Sequence, residues 1–380
     1  ERLHFGGTTA AMGRQQPERK RRHSASRLVL PGLPQRMLTS VFTCKYKAKS
    51  VKSREDESRV TTNAVQRRID DLLSYLPPLT ARPDLWTFWE ETVRQARRRP
   101  FGGYREKEKT PFPYMEVHKV AFAGFDDTPI HGWFVLPAFA DRQRLPCAVM
   151  LHGYAGNKGL PEDYAAWVLM GMAVFAVDIR GQGGETGNLL DQRFGMSAGW
   201  ITQGILDKDR CYYRAITVDC LRAIDWVAEQ PEIDAAKIAV VGGSQGGGLA
   251  LMMSALSDKL TAAVANVPNM CHMDYGLLYS TGSLTEAASF VSRYPDTLDR
   301  VLETLSYFDV MNLAERIRIP VLVSVSLKDT VCMPETVFAA YNRIRSEKQL
   351  HVFPFNGHSL GGGHLRTMIE FVAGKLGIAR

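Results

Sequence analysis

The sequence predicts an α/β fold: a mainly parallel, doubly wound sheet with helices on both faces and a helical cap inserted late in the chain. Three observations predict it. Short apolar runs recur at 147–151, 173–177, 237–241, 261–266, 320–325 and 349–353, and helical periodicity fills most intervals between them. Alternation of that kind builds a parallel sheet buried on both faces. The run at 237–241 enters Gly242-Gly243-Ser244-Gln245-Gly246 and then a small-residue helix, which is the sequence form of a strand–turn–helix nucleophile elbow. The interval 269–305 breaks the alternation, lacks a strand, and carries Tyr, Phe, Met and His. An insertion there lies over the carboxyl ends of the strands, where ligands bind in doubly wound folds.

The elements follow in order. Helical spacing begins at 65–76 and stops before Pro77-Pro78. A second helix is expected over 84–99, with Leu85, Trp86, Phe88, Trp89 and Val93 as its apolar stripe, read as core. Residues 116–125 and 130–136 alternate as two strands around Asp126-Asp127, a hairpin. Helices are expected at 161–170, 212–230, 247–256, 335–346 and 365–376. Residues 1–64 read as a basic, disordered extension with no periodic apolar face, and 65–380 as the folded domain.

Composition narrows the function classes. The chain has 380 residues, 45% of them hydrophobic, which is enough for a full core. Its net charge of +7 suggests a polyanion partner, but residues 1–60 hold 14 Lys and Arg against 5 Asp and Glu, and the remainder 33 against 35. The basicity belongs to the extension, so nucleic acid is not an expected partner of the folded domain. No apolar run approaches the roughly 20 residues needed to cross a bilayer, so no membrane span is expected. The six cysteines, Cys44, Cys147, Cys211, Cys220, Cys271 and Cys332, form no Cys-x-x-Cys pair. Zinc and dithiol readings are therefore weak, and a reducing compartment fits them.

A serine is a poor nucleophile at neutral pH and needs a base, which in turn needs an orienting acid. Hydrolase-fold chains supply these in the order Ser, Asp, His, each from a loop after a strand. Ser244 is the nucleophile candidate. Asp329 follows the 320–325 run; its rivals are Asp309, at a helix start, and Asp178, which precedes Ser244. His358 follows the last run; its rival His364 opens the final helix. The oxyanion donors expected are the backbone N–H of Gln245, next to the nucleophile, and of Tyr154, in the His152-Gly153-Tyr154 loop after an early strand. Arg180-Gly181-Gln182-Gly183-Gly184 is a Gly-rich loop without a phosphate-binding ending, so no nucleotide cofactor is expected.

Together, Arg180–Gly184, Gly243-Ser244-Gln245-Gly246-Gly247 and Gly357-His358 resemble the acetyl xylan esterase and cephalosporin C deacetylase family, carbohydrate esterase family 7, within the α/β-hydrolases. GWITQGILDKD at 199–209 with Tyr212-Tyr213-Arg214, TLSYFDVMNLA at 304–314 and TVFAAYN at 336–342 are similar to that family's segments. The resemblance covers about residues 65–380. It implies Ser244 as nucleophile, Asp329 as acid, His358 as base, Tyr154 and Gln245 as oxyanion donors, and neither metal nor cofactor. It implies a small acetylated sugar or cephalosporin substrate, and a cytoplasmic homo-hexamer that admits short oligosaccharides. The family has His-Glu after the late glycine, whereas Ser359-Leu360 follows His358 here. The alternative within the fold is a short-chain carboxylesterase or a peptidase.

Overall fold

The computed structural model describes residues 63–140 and 144–378. The extension read over residues 1–64 lies almost wholly outside them, as does Cys44. Nine strands form one sheet: β1 (Tyr104–Glu108), β2 (Met115–Ala123), β3 (Pro129–Pro137), β4 (Leu145–Leu151), β5 (Ala173–Val177), β6 (Ile233–Gly243), β7 (Ala262–Asn266), β8 (Val321–Ser326) and β9 (Lys348–Phe353). Their spatial order is β1-β2-β3-β5-β4-β6-β7-β8-β9. The first four positions are joined antiparallel and every pairing from β5 through β9 is parallel. This is the α/β-hydrolase arrangement.

The helices are α1 (Ala64–Leu73), α2 (Leu85–Arg98), α3 (Ala165–Val168), α4 (Tyr212–Ala228), α5 (Gln245–Leu256), α6 (Met273–Tyr279), α7 (Leu284–Arg293), α8 (Leu298–Ser306), α9 (Val310–Leu313), α10 (Pro334–Tyr341) and α11 (His364–Leu376). Successive residues of a strand point to opposite faces, so the central strands must be apolar throughout. Cys147, Val149 and Leu151 of β4 pack with Phe175, Val240 and the residues of α4 and α5 on one face. Ala148 and Met150 pack with Val174, Val241, Trp167, and Phe371 and Val372 of α11 on the other. α5 has apolar residues on every side and buries ten of its twelve. Helices α6, α7 and α8 occupy the interval between β7 and β8.

Several elements differ from the sequence pattern. β1, Tyr-Arg-Glu-Lys-Glu, has no apolar period and was not expected. It is an edge strand held by its ladder to β2, and its mostly exposed charged side chains leave no hydrophobic signal. The helix expected at 161–170 is a 3₁₀ turn over Pro161–Tyr164 followed by one turn of α-helix. α5 starts at Gln245, two residues earlier than its pattern, because Ser244 itself makes the turn. α10 ends at Tyr341, short of the expected 346.

The sheet lines up the chain exits that matter. Leu151 pairs with Gly242, Gly243 with Asn266, Asn266 with Ser324, and Ser326 with Phe353. The loops carrying residues 152–156, 244, 329 and 358 therefore leave from one edge of adjacent parallel strands, beside β4, where the strand order reverses.

Candidate active site

Ser244 sits at φ 54°, ψ −119°, outside the helical and extended regions. The surroundings hold it there. Its N–H donates to the Asn266 carbonyl at 2.8 Å, and its own carbonyl accepts from Gly248 and Asn269 at 3.0 and 2.9 Å. The glycines on either side are forced by contact. A Cβ at Gly242 would collide with the Gly246 carbonyl, and one at Gly246 with the Leu151 carbonyl. Only bare backbone lets α5 begin this close to β4 and β6.

Asp329 and His358 meet Ser244. His358 Nε2 lies 3.0 Å from Ser244 Oγ, and His358 Nδ1 lies 2.8 Å from Asp329 Oδ2. The Asp329 side chain has no exposed surface, and its Oδ1 accepts from the Val331 and Cys332 N–H groups at 2.8 and 3.0 Å. A buried carboxylate so supplied accepts from Nδ1–H, which fixes the tautomer and leaves Nε2 to receive the serine proton. Among the described residues, neither the Tyr154 nor the Gln245 backbone N–H donates to a protein acceptor. Gly153, which precedes Tyr154, packs against the Ser244 side chain, and Gln245 follows Ser244 in sequence. A serine bonded to an oriented imidazole, with free donors on these two segments, is an arrangement suited to acyl transfer through a tetrahedral oxyanion.

Residues 64–375 match the family described as acetyl xylan esterase (AXE1). The chain belongs to the acetyl xylan esterase family. Among solved structures, an acetyl xylan esterase from Paenibacillus sp. R4 is 37% identical with a TM-score of 0.78, over 81% of this chain and 99% of that one. Acetyl xylan esterase 1 from Thermoanaerobacterium sp. JW/SL YS485 is 28% identical with a TM-score of 0.77, over 82% and 99%. Acetyl esterase Axe7A of Xylanibacter ruminicola is 28% identical over 294 residues, 74% of this chain; the match spans 65% of that relative's length.

Within this acetyl xylan esterase fold, the rivals to the triad have other work. Asp178 accepts from Lys158 N and Nζ and from Glu185 N. Asp309 caps α9 and also accepts from the His272 and Met273 N–H groups. His152 accepts the Ile179 N–H at its Nε2, 2.8 Å away, and burial lowers its pKa. The five described cysteines are free and buried, Cys332 with its sulfur 3.9 Å from Ser244 Oγ. No described helix is long and apolar enough to cross a membrane, and no three described His, Cys, Asp or Glu side chains converge as a metal ligand set.

Two further residues hold these segments in place, and one of them lies inside the Arg180–Gly184 motif. Gln182, from the Arg180–Gly184 loop, accepts from the Ala155 N–H at 2.9 Å and donates to Gln245 Oε1 at 3.0 Å. It thereby ties the 152–156 loop to the start of α5. Asn266 holds the Ser244 N–H with its carbonyl, while its Oδ1 meets His364 Nε2 at 2.7 Å. His364 in turn faces His351, Nδ1 to Nδ1 at 2.9 Å. These histidines stand at the two stems of the loop that carries His358.

With its Nε2–H given to Asn266, His364 must receive the His351 proton at Nδ1, so a second proton on His364 has no acceptor. Burial and the facing imidazole push its pKa down to about 4. Unfolded chain binds a proton near pH 6.5 that the native state refuses until about 4. This contribution to stability is complete above pH ~6.5 and declines as pH falls through that window, by up to ~1.4 kcal/mol per pH unit. Urea midpoints measured from pH 7 to 4 are expected to fall less steeply in His364→Gln than in the wild type, by about one proton's worth of slope.

Proposed function

We propose that the chain is a serine esterase that removes acetyl groups from acetylated xylo-oligosaccharides and from cephalosporin C through an acyl-enzyme. The observation that carries this reading is the Ser244–His358–Asp329 relay with two undonated N–H groups beside it. His358 Nε2 takes the Ser244 proton as Oγ attacks the acetyl carbonyl, and Asp329 stabilises the resulting imidazolium. The Tyr154 and Gln245 N–H groups receive the oxyanion. Collapse expels the sugar alkoxide, which takes the proton from His358. Water, deprotonated by His358, then attacks the acetyl-serine. Collapse breaks the acyl–Oγ bond, His358 returns the proton to Ser244 Oγ, and the acetyl group leaves as acetic acid, which ionises to acetate.

A small acyl group fits the crowding at the nucleophile, where the buried Cys332 sulfur stands beside Oγ. The resemblance carried by 199–209, 304–314 and 336–342 supports the sugar and cephalosporin substrates. It also supports a cytoplasmic homo-hexamer in which access favours short oligosaccharides over polymer. A hydrolysis panel of acetylated xylobiose, cephalosporin C, and acetyl, butyryl and octanoyl nitrophenyl esters tests the reading. Acetyl esters are expected to have the highest kcat/KM, at least about tenfold above butyryl, in line with discrimination of a few methylenes. Preference for longer acyl groups or for peptide amides points instead to a carboxylesterase or peptidase of the same fold.

A further inference from the structure

We propose that Glu286, in the first turn of α7, is a positioning residue for the oxyanion hole: its carboxylate holds the Tyr154 phenol, and through it the backbone N–H that receives the oxyanion. The proposal rests on the reading of Tyr154 N–H as an oxyanion donor.

The Tyr154 hydroxyl donates to Glu286 Oε2 at 2.5 Å and accepts from the Trp200 N–H at 3.1 Å. The Tyr154 and Trp200 rings meet edge to face at 5.1 Å. A tyrosine has only two side-chain torsions, so fixing its ring and hydroxyl constrains its own Cα and the peptide plane bearing its N–H. That segment needs such restraint. It turns through Gly153, packed against Ser244, and Ala155, at φ 61°. Gln182 holds it from one side, and Glu286 is its anchor from the cap side.

Besides the Tyr154 hydroxyl, the Glu286 carboxylate accepts from the Ile201 N–H. Among the described residues it has no ion-pair partner, and burial raises its pKa against the pull of the Tyr154 hydroxyl and the Ile201 N–H. Room for its carboxylate comes from Gly199, at φ 70°, where any Cβ would collide with it. The cap, the 199–201 turn and the oxyanion loop therefore converge on one carboxylate.

The test uses the full chain with nitrophenyl acetate, together with a fluorophosphonate probe. Attack of Ser244 on its phosphorus expels fluoride and puts negative charge on the phosphoryl oxygen, which calls on the same N–H donors without an acetyl substrate. Glu286→Ala is expected to lower kcat and the probe's labelling rate about tenfold, short of the ~10²–10³ for outright loss of a donor, with KM within about twofold. Glu286→Gln keeps an acceptor for the phenol and is expected to stay within about twofold of wild type. Tyr154→Phe should match Glu286→Ala, and the double variant should lose no more than either. A Glu286→Ala labelling rate within twofold of wild type overturns the proposal. So does a rise in KM at constant kcat, or losses that multiply in the double variant. Low acetyl turnover in the wild type with labelling still slowed by Glu286→Ala contradicts the acetyl substrate and supports the positioning role.

Discussion

Ser244→Ala is expected to lower kcat on acetyl esters by a factor on the order of 10⁶, with His358→Ala close behind and the double variant no worse than either. The equality follows from the geometry. Oγ and Nε2 are 3.0 Å apart and act on one proton, so removing either removes the same step. What remains is the pair of N–H donors, which still polarise a bound ester. Single-turnover and steady-state rates on nitrophenyl acetate check this; turnover retained in pure Ser244→Ala would sink the assignment. The same position predicts an opposite effect on stability. At φ 54°, ψ −119° a side chain is strained, so Ser244→Gly should be more stable than Ser244→Ala by about 1–2 kcal/mol in urea unfolding while equally inactive.

Arg180→Met is expected to destabilise the fold by about 3–5 kcal/mol, the largest effect on stability away from the site. The guanidinium is fully buried. It makes a two-pronged contact with Asp219 at 2.6 and 2.8 Å and reaches Asp126 at 3.0 Å. Asp219 also accepts the Phe125 N–H at 2.7 Å, so α4 and the β2–β3 hairpin turn are joined through these charges. Removing the cation strands the Asp219 carboxylate in the core. Arg180→Lys should recover only part of the loss, because one ammonium cannot reproduce the planar fork. Arg180→Met with Asp219→Leu should recover part of it, since the fully buried carboxylate is gone while the partly exposed Asp126 and the Phe125 N–H each lose a partner. Denaturant midpoints of the three variants give the comparison; a loss below about 1 kcal/mol for Arg180→Met contradicts it.

Much of the fold and the chemical core was legible because each signal is local. The central strands are buried on both faces, so β4 through β8 stand out as apolar runs. Ser244 and Asp329 each follow such a run within a few residues, His358 follows the partly buried β9, and parallel pairing brings strand ends together. Asp309 and Asp329 both follow plausible element boundaries; the cap bonds of the first separate them. What stayed hidden depends on partners far apart in sequence. Glu286 meets Tyr154 across 132 positions and Asn266 meets His364 across 98, and neither contact leaves a spacing to read. β1 stayed hidden for a different reason: a charged edge strand is held by backbone bonds that any side chains permit.

The helix that begins at the nucleophile has a bearing on how the protein is made. α5 opens with Gly246-Gly247-Gly248, three residues that each cost about 1 kcal/mol in helical propensity relative to alanine. It cannot persist on its own and forms only where β4, β6 and β7 enclose it, parallel neighbours joined by long crossovers and slow to assemble. The turn at Ser244 therefore depends on contacts from β4, β6 and β7 and not on the local propensity of α5. On the proposed reading, a chain in which these strands are not yet packed carries Ser244, His358 and Asp329 without the turn that presents Ser244.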